Sequence, residues 1–84
     1  MGHLIRFKAS ADKELDALPW QQSARVLHAI KKLADNPRPP GCKKLKSCDA
    51  YRIRAGDYRV VYEIHDDVLI VLVVRVAHRR EVYQ

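Results

Sequence analysis

The sequence has no apolar run long enough to cross a bilayer. Its longest, Val68 to Val74, spans seven residues, against about 20 for a membrane-spanning helix. Met1 to Ser10 contains neither an apolar h-region nor a small-residue cleavage site, so no secretory leader is expected. Cysteine is scarce. Cys42 and Cys48 flank a lysine-rich segment at a spacing that fits neither a CxxC redox pair nor half of a zinc site. No Cys/His set at metal spacing accompanies them, and the expectation is two reduced thiols in a cytoplasmic protein. No Asp/Glu cluster at metal-binding spacing stands out either, so any hydrolase chemistry is expected to need no metal and no other cofactor. Repeats, low-complexity tracts and an interdomain linker are lacking, which leaves a single domain over residues 1–84.

What the chain does have is a core and a charge. Hydrophobic residues make up 48% of it, too many for disorder and enough to hold one small domain together. The formal net charge is +6, and a surplus of that size in so short a chain favours anionic partners through long-range attraction. The surplus is not a tail. Seven basic and four acidic groups lie in residues 1–40, nine and six in residues 41–84, so each half carries three extra positive charges. Any basic surface must therefore be made by folding.

The periodicity predicts an α+β fold: a short N-terminal strand, an αα-hairpin and an antiparallel β-meander packed as two layers. Leu4 to Lys8 alternates weakly and reads as the first strand. Ser10 is expected to cap a helix with Asp12 and Glu14 in its first turn and Leu15 and Leu18 on its apolar side. Pro19 ends that helix or opens the next. In the second helix Trp20, Ala24, Leu27, Ile30 and Ala34 fall at helical spacing, and Asn36-Pro37 and Pro39-Pro40-Gly41 close it with a loop. Cys42 to Cys48 reads as a connector whose Lys43, Lys44 and Lys46 point outward around Leu45. Beyond it the period becomes two. Tyr51 to Ala55, Tyr58 to Ile64 and Val68 to Val76 read as strands joined at Gly56-Asp57 and at His65-Asp66-Asp67. The last is apolar on both faces, which suits a central or covered strand.

If Gly56-Asp57 is a two-residue type II′ loop, the register follows: Ala55 opposes Tyr58, Arg54 opposes Arg59, Ile53 opposes Val60 and Tyr51 opposes Tyr62. Tyr51, Ile53, Val60, Tyr62 and Ile64 then face the helices, and Arg52, Arg54 and Arg59 share the opposite face. Like charges directly opposed on a sheet cost stability. Such a pair invites a phosphate between its guanidinium groups, which bind phosphate oxygens in bidentate fashion. The alternative is a solvated basic face with Glu63 and Asp57 as partners. Near the end of the chain stand Arg75, His78, Arg79, Arg80 and Tyr83, with Val82 expected to dock on the sheet. Cations, an imidazole and a phenol suit cleavage of a phosphodiester, which needs charge stabilisation at a pentacoordinate phosphate and groups that move protons. His78 could equally be an ordinary surface histidine, and Tyr83 a docking residue.

The run Tyr51-Arg52-Ile53-Arg54-Ala55-Gly56-Asp57-Tyr58-Arg59-Val60-Val61-Tyr62-Glu63-Ile64, with Val68–Val76 and then His78-Arg79-Arg80-Glu81-Val82-Tyr83, closely resembles the RelE family, toxins of RelE/RelB-type toxin–antitoxin pairs. The resemblance spans nearly the whole chain. It implies a ribosome-dependent endoribonuclease (an mRNA interferase) that cuts messenger RNA in the A site by attack of the 2′-oxygen, without a metal. Arg59 and Arg79 match family arginines that hold the scissile phosphate, and Tyr83 matches the C-terminal tyrosine. Arg52 and Arg54 stand where the RelE-type pattern has two lysines. Arginine, with a pKa of about 12 or more, binds charge but moves protons poorly, which shifts proton transfer toward His78 or Tyr83. Arg52, Arg54, Lys44, Lys46 and Arg80 are the expected RNA- and phosphate-binding set, and either Arg79 or Arg80 is the family match. The resemblance also implies a RelB-like antitoxin, the ribosome and messenger RNA as partners, no membrane, and DNA only through the antitoxin. Two other readings stand beside it: a ParE-like toxin that poisons gyrase, and an inactive relative that binds antitoxin and regulates its operon.

Overall fold

The computed structural model describes residues 2–46, 48–78 and 80. In chain order they form β1 (Leu4–Phe7), α1 (Ala9–Asp16), α2 (Trp20–Lys32), β2 (Lys43–Lys44), β3 (Tyr51–Ala55), β4 (Tyr58–His65) and β5 (Ile70–His78). The strands make one mixed sheet in the order β1-β5-β4-β3-β2. β1 lies parallel to β5, with Leu4 opposite Ile70, and the other neighbours are antiparallel. The α+β class and the meander agree with the sequence reading, and β5 is an interior strand between β1 and β4. Among the described residues no helix is long and apolar enough to cross a membrane.

One face of the sheet is covered by the helices. Ala11 and Leu15 of α1 and Val26, Ile30 and Leu33 from α2 and its end meet Ile53, Val60, Tyr62, Val71, Val73 and Val76 in the main core. Burying side chains of this size stabilises by about 1.5–3 kcal/mol each before entropy is counted. The opposite face carries a smaller cluster, in which Ala50, Val61 and Ala77 pack with Leu45 and Val74. The connector after β2 therefore folds back over the far face, and Leu45 N–H donates to the Ala50 carbonyl at 2.9 Å.

Four local expectations are corrected. Ser10 lies inside α1, and the N-cap is Lys8, which makes no side-chain cap bond. The reason is that β1 runs into the helix through one residue: Lys8 N–H donates to Val73 O at 2.9 Å, and its carbonyl accepts from Asp12 N–H. Asp12 alone is the acidic residue of the first turn, and Glu14, further along α1, reaches the sheet, its Oε1 accepting from Val76 N–H at 2.8 Å. In α2 the buried seam is Val26, Ile30 and Leu33, while Ala24 is exposed and Trp20 is 77% exposed. Pro19 caps this helix at its start, and Trp20 and Gln21 of its first turn remain exposed. Lys43 and Lys44 form a short edge strand against Arg52 and Tyr51 where a plain connector was expected. Val68 and Leu69 belong to the turn before β5, and Leu69 takes a left-handed φ of 55°.

The loop after α2 is anchored from the core. Tyr62 O–H donates to the Pro37 carbonyl at 2.7 Å in a buried position, and its ring stacks with Tyr51 at 6.0 Å. Burial, with Cys42 adding to it, pushes the Tyr62 phenol well above its ordinary pKa of 10.0, so the group stays a hydrogen-bond donor. Arg38 lies over the Tyr51 ring at 5.5 Å and donates to Asp66 at 3.0 Å, while His3 meets the other Asp66 oxygen. Tyr62→Phe is expected to lower stability by about 1–3 kcal/mol, because a buried carbonyl loses its donor. Urea denaturation of both proteins checks this; an unchanged midpoint would show that the hydroxyl contributes nothing.

Candidate functional site

Gly56 and Asp57 close the β3–β4 hairpin. Gly56 has a φ of 63°, and Asp57 is not among the residues of positive φ, the combination of a type II′ turn. The register is the expected one: Ala55 with Tyr58, Arg54 with Arg59, Ile53 with Val60, Tyr51 with Tyr62. The sheet's one bulge among the described residues lies elsewhere, where Val61 faces Arg75 and Tyr62 faces Val73, leaving Val74 as the extra residue on β5. Arg54 and Arg59 are therefore held in direct opposition by an undistorted two-strand ladder.

Arg52, Arg54 and Arg59 form one electrostatic group. Partial burial, then repulsion from Arg59 and Arg54, lowers the Arg52 pKa from its ordinary value. Arg59 Nε lies fully buried beside the sheet. At the hairpin end a cleft of about 190 Å³ is lined by Arg54, Gly56, Tyr58 and Arg59. The expected acidic partner Glu63 is turned away, with its Oε1 2.9 Å from His65 Nε2. Ion pairs among the described residues do not engage Arg52 or Arg54. Two guanidinium groups side by side on a half-buried surface suit one anion between them, because the anion removes their mutual repulsion and satisfies both forks.

The remaining expected residues are distributed unevenly. Lys44 is paired through β2 and lies 3.7 Å from Asp49, and Lys46 is exposed beyond it. Arg75 is drawn to α1, with Nη2 3.4 Å from Glu14. His78 pairs in register with Tyr58, and their rings meet edge-to-face at 5.5 Å. Tyr58 packs on the helix-side core, whereas Ala77, opposite Arg59, belongs to the far-face cluster. The imidazole and the arginine pair thus share one end of the sheet but stand on opposite faces. Arg80 N–H donates to His78 Nδ1 at 3.2 Å, which leaves the neutral ring's proton on Nε2. Arg79, Val82 and Tyr83 lie outside the described residues.

Three polar residues of α2 were not singled out as site residues by the sequence reading. Arg25, His28 and Lys32 lie on α2 facing the edge of β3, and they line a groove of about 550 Å³ with Lys43, Arg52 and Arg54. Their i, i+3, i+7 spacing puts them on one helix face, a signal that the apolar stripe overshadowed. Glu14 was read only as a first-turn charge, yet it occupies the edge of β5 that β1 no longer covers after Phe7.

Residues 5–83 match the family model described as the ParE toxin of the type II toxin–antitoxin system parDE. The chain is similar to a RelE-like toxin protein of Escherichia coli, 38% identical over 81 residues that cover 94% of this chain and 85% of the relative. It is also similar to toxin RelG of Mycobacterium tuberculosis, 32% identical over 100% of this chain and 99% of that protein. Among solved structures, the toxin–antitoxin complex RelBE2 of Mycobacterium tuberculosis has a similar chain: TM-score 0.85, 29% identity, covering 94% of this chain and 100% of that one. A mutant of the E. coli toxin RelE in the free state gives a TM-score of 0.78 at 27% identity, covering 93% and 84%.

The arginine pair has a measurable signature. Arg54→Thr is expected to raise stability by about 0.2–1 kcal/mol at low ionic strength by removing an opposed like charge, and the gain should shrink as salt screens it. Added sulfate should raise the melting temperature of the native protein more than that of the variant. Equal sulfate shifts in both proteins would count against an anion site between Arg54 and Arg59.

Proposed function

Because the chain belongs to the RelE/ParE superfamily of toxins from type II toxin–antitoxin systems, we propose that it is a ribosome-dependent endoribonuclease that cleaves messenger RNA in the A site and so inhibits translation. The observation that carries this reading is the opposed Arg54–Arg59 pair at a cleft of about 190 Å³, with Arg52 beside it. In the proposed reaction the ribose 2′-oxygen attacks the adjacent phosphorus, a P–O2′ bond forms and the P–O5′ bond breaks. The products are a cyclic phosphate and a 5′-hydroxyl. Arg59 and Arg54 neutralise the extra charge of the pentacoordinate phosphate, and Arg79 joins them by resemblance. Guanidinium groups aimed at charge that develops in the transition state lower the barrier without changing protonation state.

Two proton transfers accompany the step, from the 2′-hydroxyl and to the departing 5′-oxygen. Of the two groups expected to serve them, Tyr83 carries the proposal by resemblance, since His78 is engaged edge-to-face with Tyr58 and sits one position out of register with Arg59. Guanidinium groups beside a phenol favour phenolate, which suits a tyrosine as base. A RelB-like antitoxin is the proposed partner. The support is that related structures are complexes of RelE-type toxins with RelB-type antitoxins, and that Leu4, Val68 and Leu69 stand exposed together where β1 meets β5.

The family description also names the ParE type, which supports the second reading, interference with DNA gyrase. Primer extension on messages after induced expression separates the two, since only a nuclease creates new 5′ ends; a gyrase poison instead blocks supercoiling by purified enzyme. Arg59→Ala is expected to lower single-turnover cleavage on ribosomes about a hundredfold or more, while Lys31→Ala, on the exposed side of α2, remains at the native rate. Native activity in Arg59→Ala would remove the centre of the proposal. His78→Ala is expected to leave the pH–rate profile unchanged; loss of an acid-side inflection would bring the imidazole back into the reaction.

A further inference from the structure

The groove between α2 and β3 begins where the arginine cleft ends. β2 pairs only with Tyr51 and Arg52, so from Ile53 to Ala55 β3 is a sheet edge, and α2 runs alongside it. Arg25, His28 and Lys32 form one wall, Lys43, Arg52 and Arg54 the other, around a space of about 550 Å³. No carboxylate is among its lining residues. Ile53 and Ala29 give it an apolar floor.

Two features join groove and cleft. Arg54 lines both. The Arg25 side chain also crosses the hairpin turn, for a Cβ built on Gly56 would lie 3.2 Å from its Cδ and Nη1. A row of cations thus runs from Arg59 through Arg54 and Arg25 to Lys32, with apolar surface beneath its second half.

We propose that this groove binds the single-stranded RNA on one side of the phosphate held at Arg54 and Arg59. This rests on the nuclease reading for the identity of the ligand. The charge arrangement favours RNA over an acidic peptide: a nucleic-acid strand carries an anion at every step of its backbone, and cations on both walls can follow it past Arg54. The apolar floor accepts a base face without reading its edges, with His28 as the one ring available for stacking. Recognition here is therefore tolerant of sequence, and the groove supplies grip and orientation for the nucleotides that flank the scissile bond.

The test uses the purified protein and fluorescent 2′-O-methyl oligonucleotides, which bind but cannot be cut. Arg25→Ala/Lys32→Ala is compared with Lys31→Ala, and with the charge-conserving Arg25→Lys/Lys32→Arg as a control for folding. The double alanine variant is expected to bind a hexanucleotide about tenfold or more weakly, with the slope of log K against log salt reduced by about 1.4, that is about 0.7 for each lost phosphate contact. Its dinucleotide affinity should remain native, and the charge-conserving variant should recover most of the hexanucleotide affinity. Unchanged hexanucleotide affinity and salt slope in the double alanine variant would overturn the proposal. So would a variant that binds RNA normally but has lost its grip on the cognate antitoxin, since the groove would then be a protein-docking surface. If the native protein binds the hexanucleotide through these residues but makes no cuts on ribosomes, the groove stands and the nuclease reading falls.

Discussion

The register of one hairpin decides what this molecule can be. With Gly56 at a φ of 63° and Asp57 closing the turn, Ile53 and Val60 enter the core and Arg54 meets Arg59 across the ladder. A slip of one residue would exchange the two faces, driving guanidinium groups against Val26 and Ile30 and turning valines outward. Burial of Val60 and Tyr62 is what forbids the slip. The arginine cluster is therefore held in place by the hydrophobic effect acting on the other side of the same strands, not by any attraction among its members.

That arrangement separates the element that gives stability from the one that costs it. The core face is closed by two helices, and among the described residues the far face has the small cluster of Ala50, Val61 and Ala77 with Leu45 and Val74. Repulsion among Arg52, Arg54 and Arg59 is borne there, where bound phosphate would relieve it. Backbone groups left over by the mixed topology are satisfied from side chains: Glu14 takes the Val76 N–H past the end of β1, and Tyr62 takes the Pro37 carbonyl. Each is a single long contact that replaces a missing strand or turn. Each also ties a region outside the core to the scaffold that aligns the arginines.

How much of this was legible depended on the range of the interaction. The Arg54–Arg59 pairing followed from Gly56-Asp57, because a two-residue loop transmits its geometry directly to its neighbours. The doubly apolar character of residues in β5 marked it as covered, and it is an interior strand. The parallel pairing of β1 with β5 left no local signal, since its partners are distant in the chain. The buried seam of α2 was misplaced because Trp20, the most hydrophobic-looking residue at its start, overhangs the sheet, and only tertiary placement reveals that. Lys43 and Lys44 have side chains typical of a loop; their backbone pairs with β3 all the same. At the candidate site Arg52, Arg54 and Arg59 come together as expected, whereas Arg25 and Lys32 join only because α2 packs beside an edge strand. His78 was grouped with the arginines by proximity in sequence, but strand alternation turns it to the other face.

The place of β5 in the sheet also bears on the order in which the protein comes into being. Ile70–His78 follows the other described strands in the chain, yet it is the strand that joins β1 to the rest. Leu4 must wait for Ile70, sixty-six residues later, before it has a partner. Until then the sheet can consist only of the β3–β4 hairpin edged by the two residues of β2, and so small a sheet is marginal in water. The arginines would remain on a fluctuating ribbon, without the rigid spacing that makes a site of them. Growth of the chain is thus its own delay: the arginines of β3 and β4 gain a rigid setting only after β5 has followed them out of the ribosome.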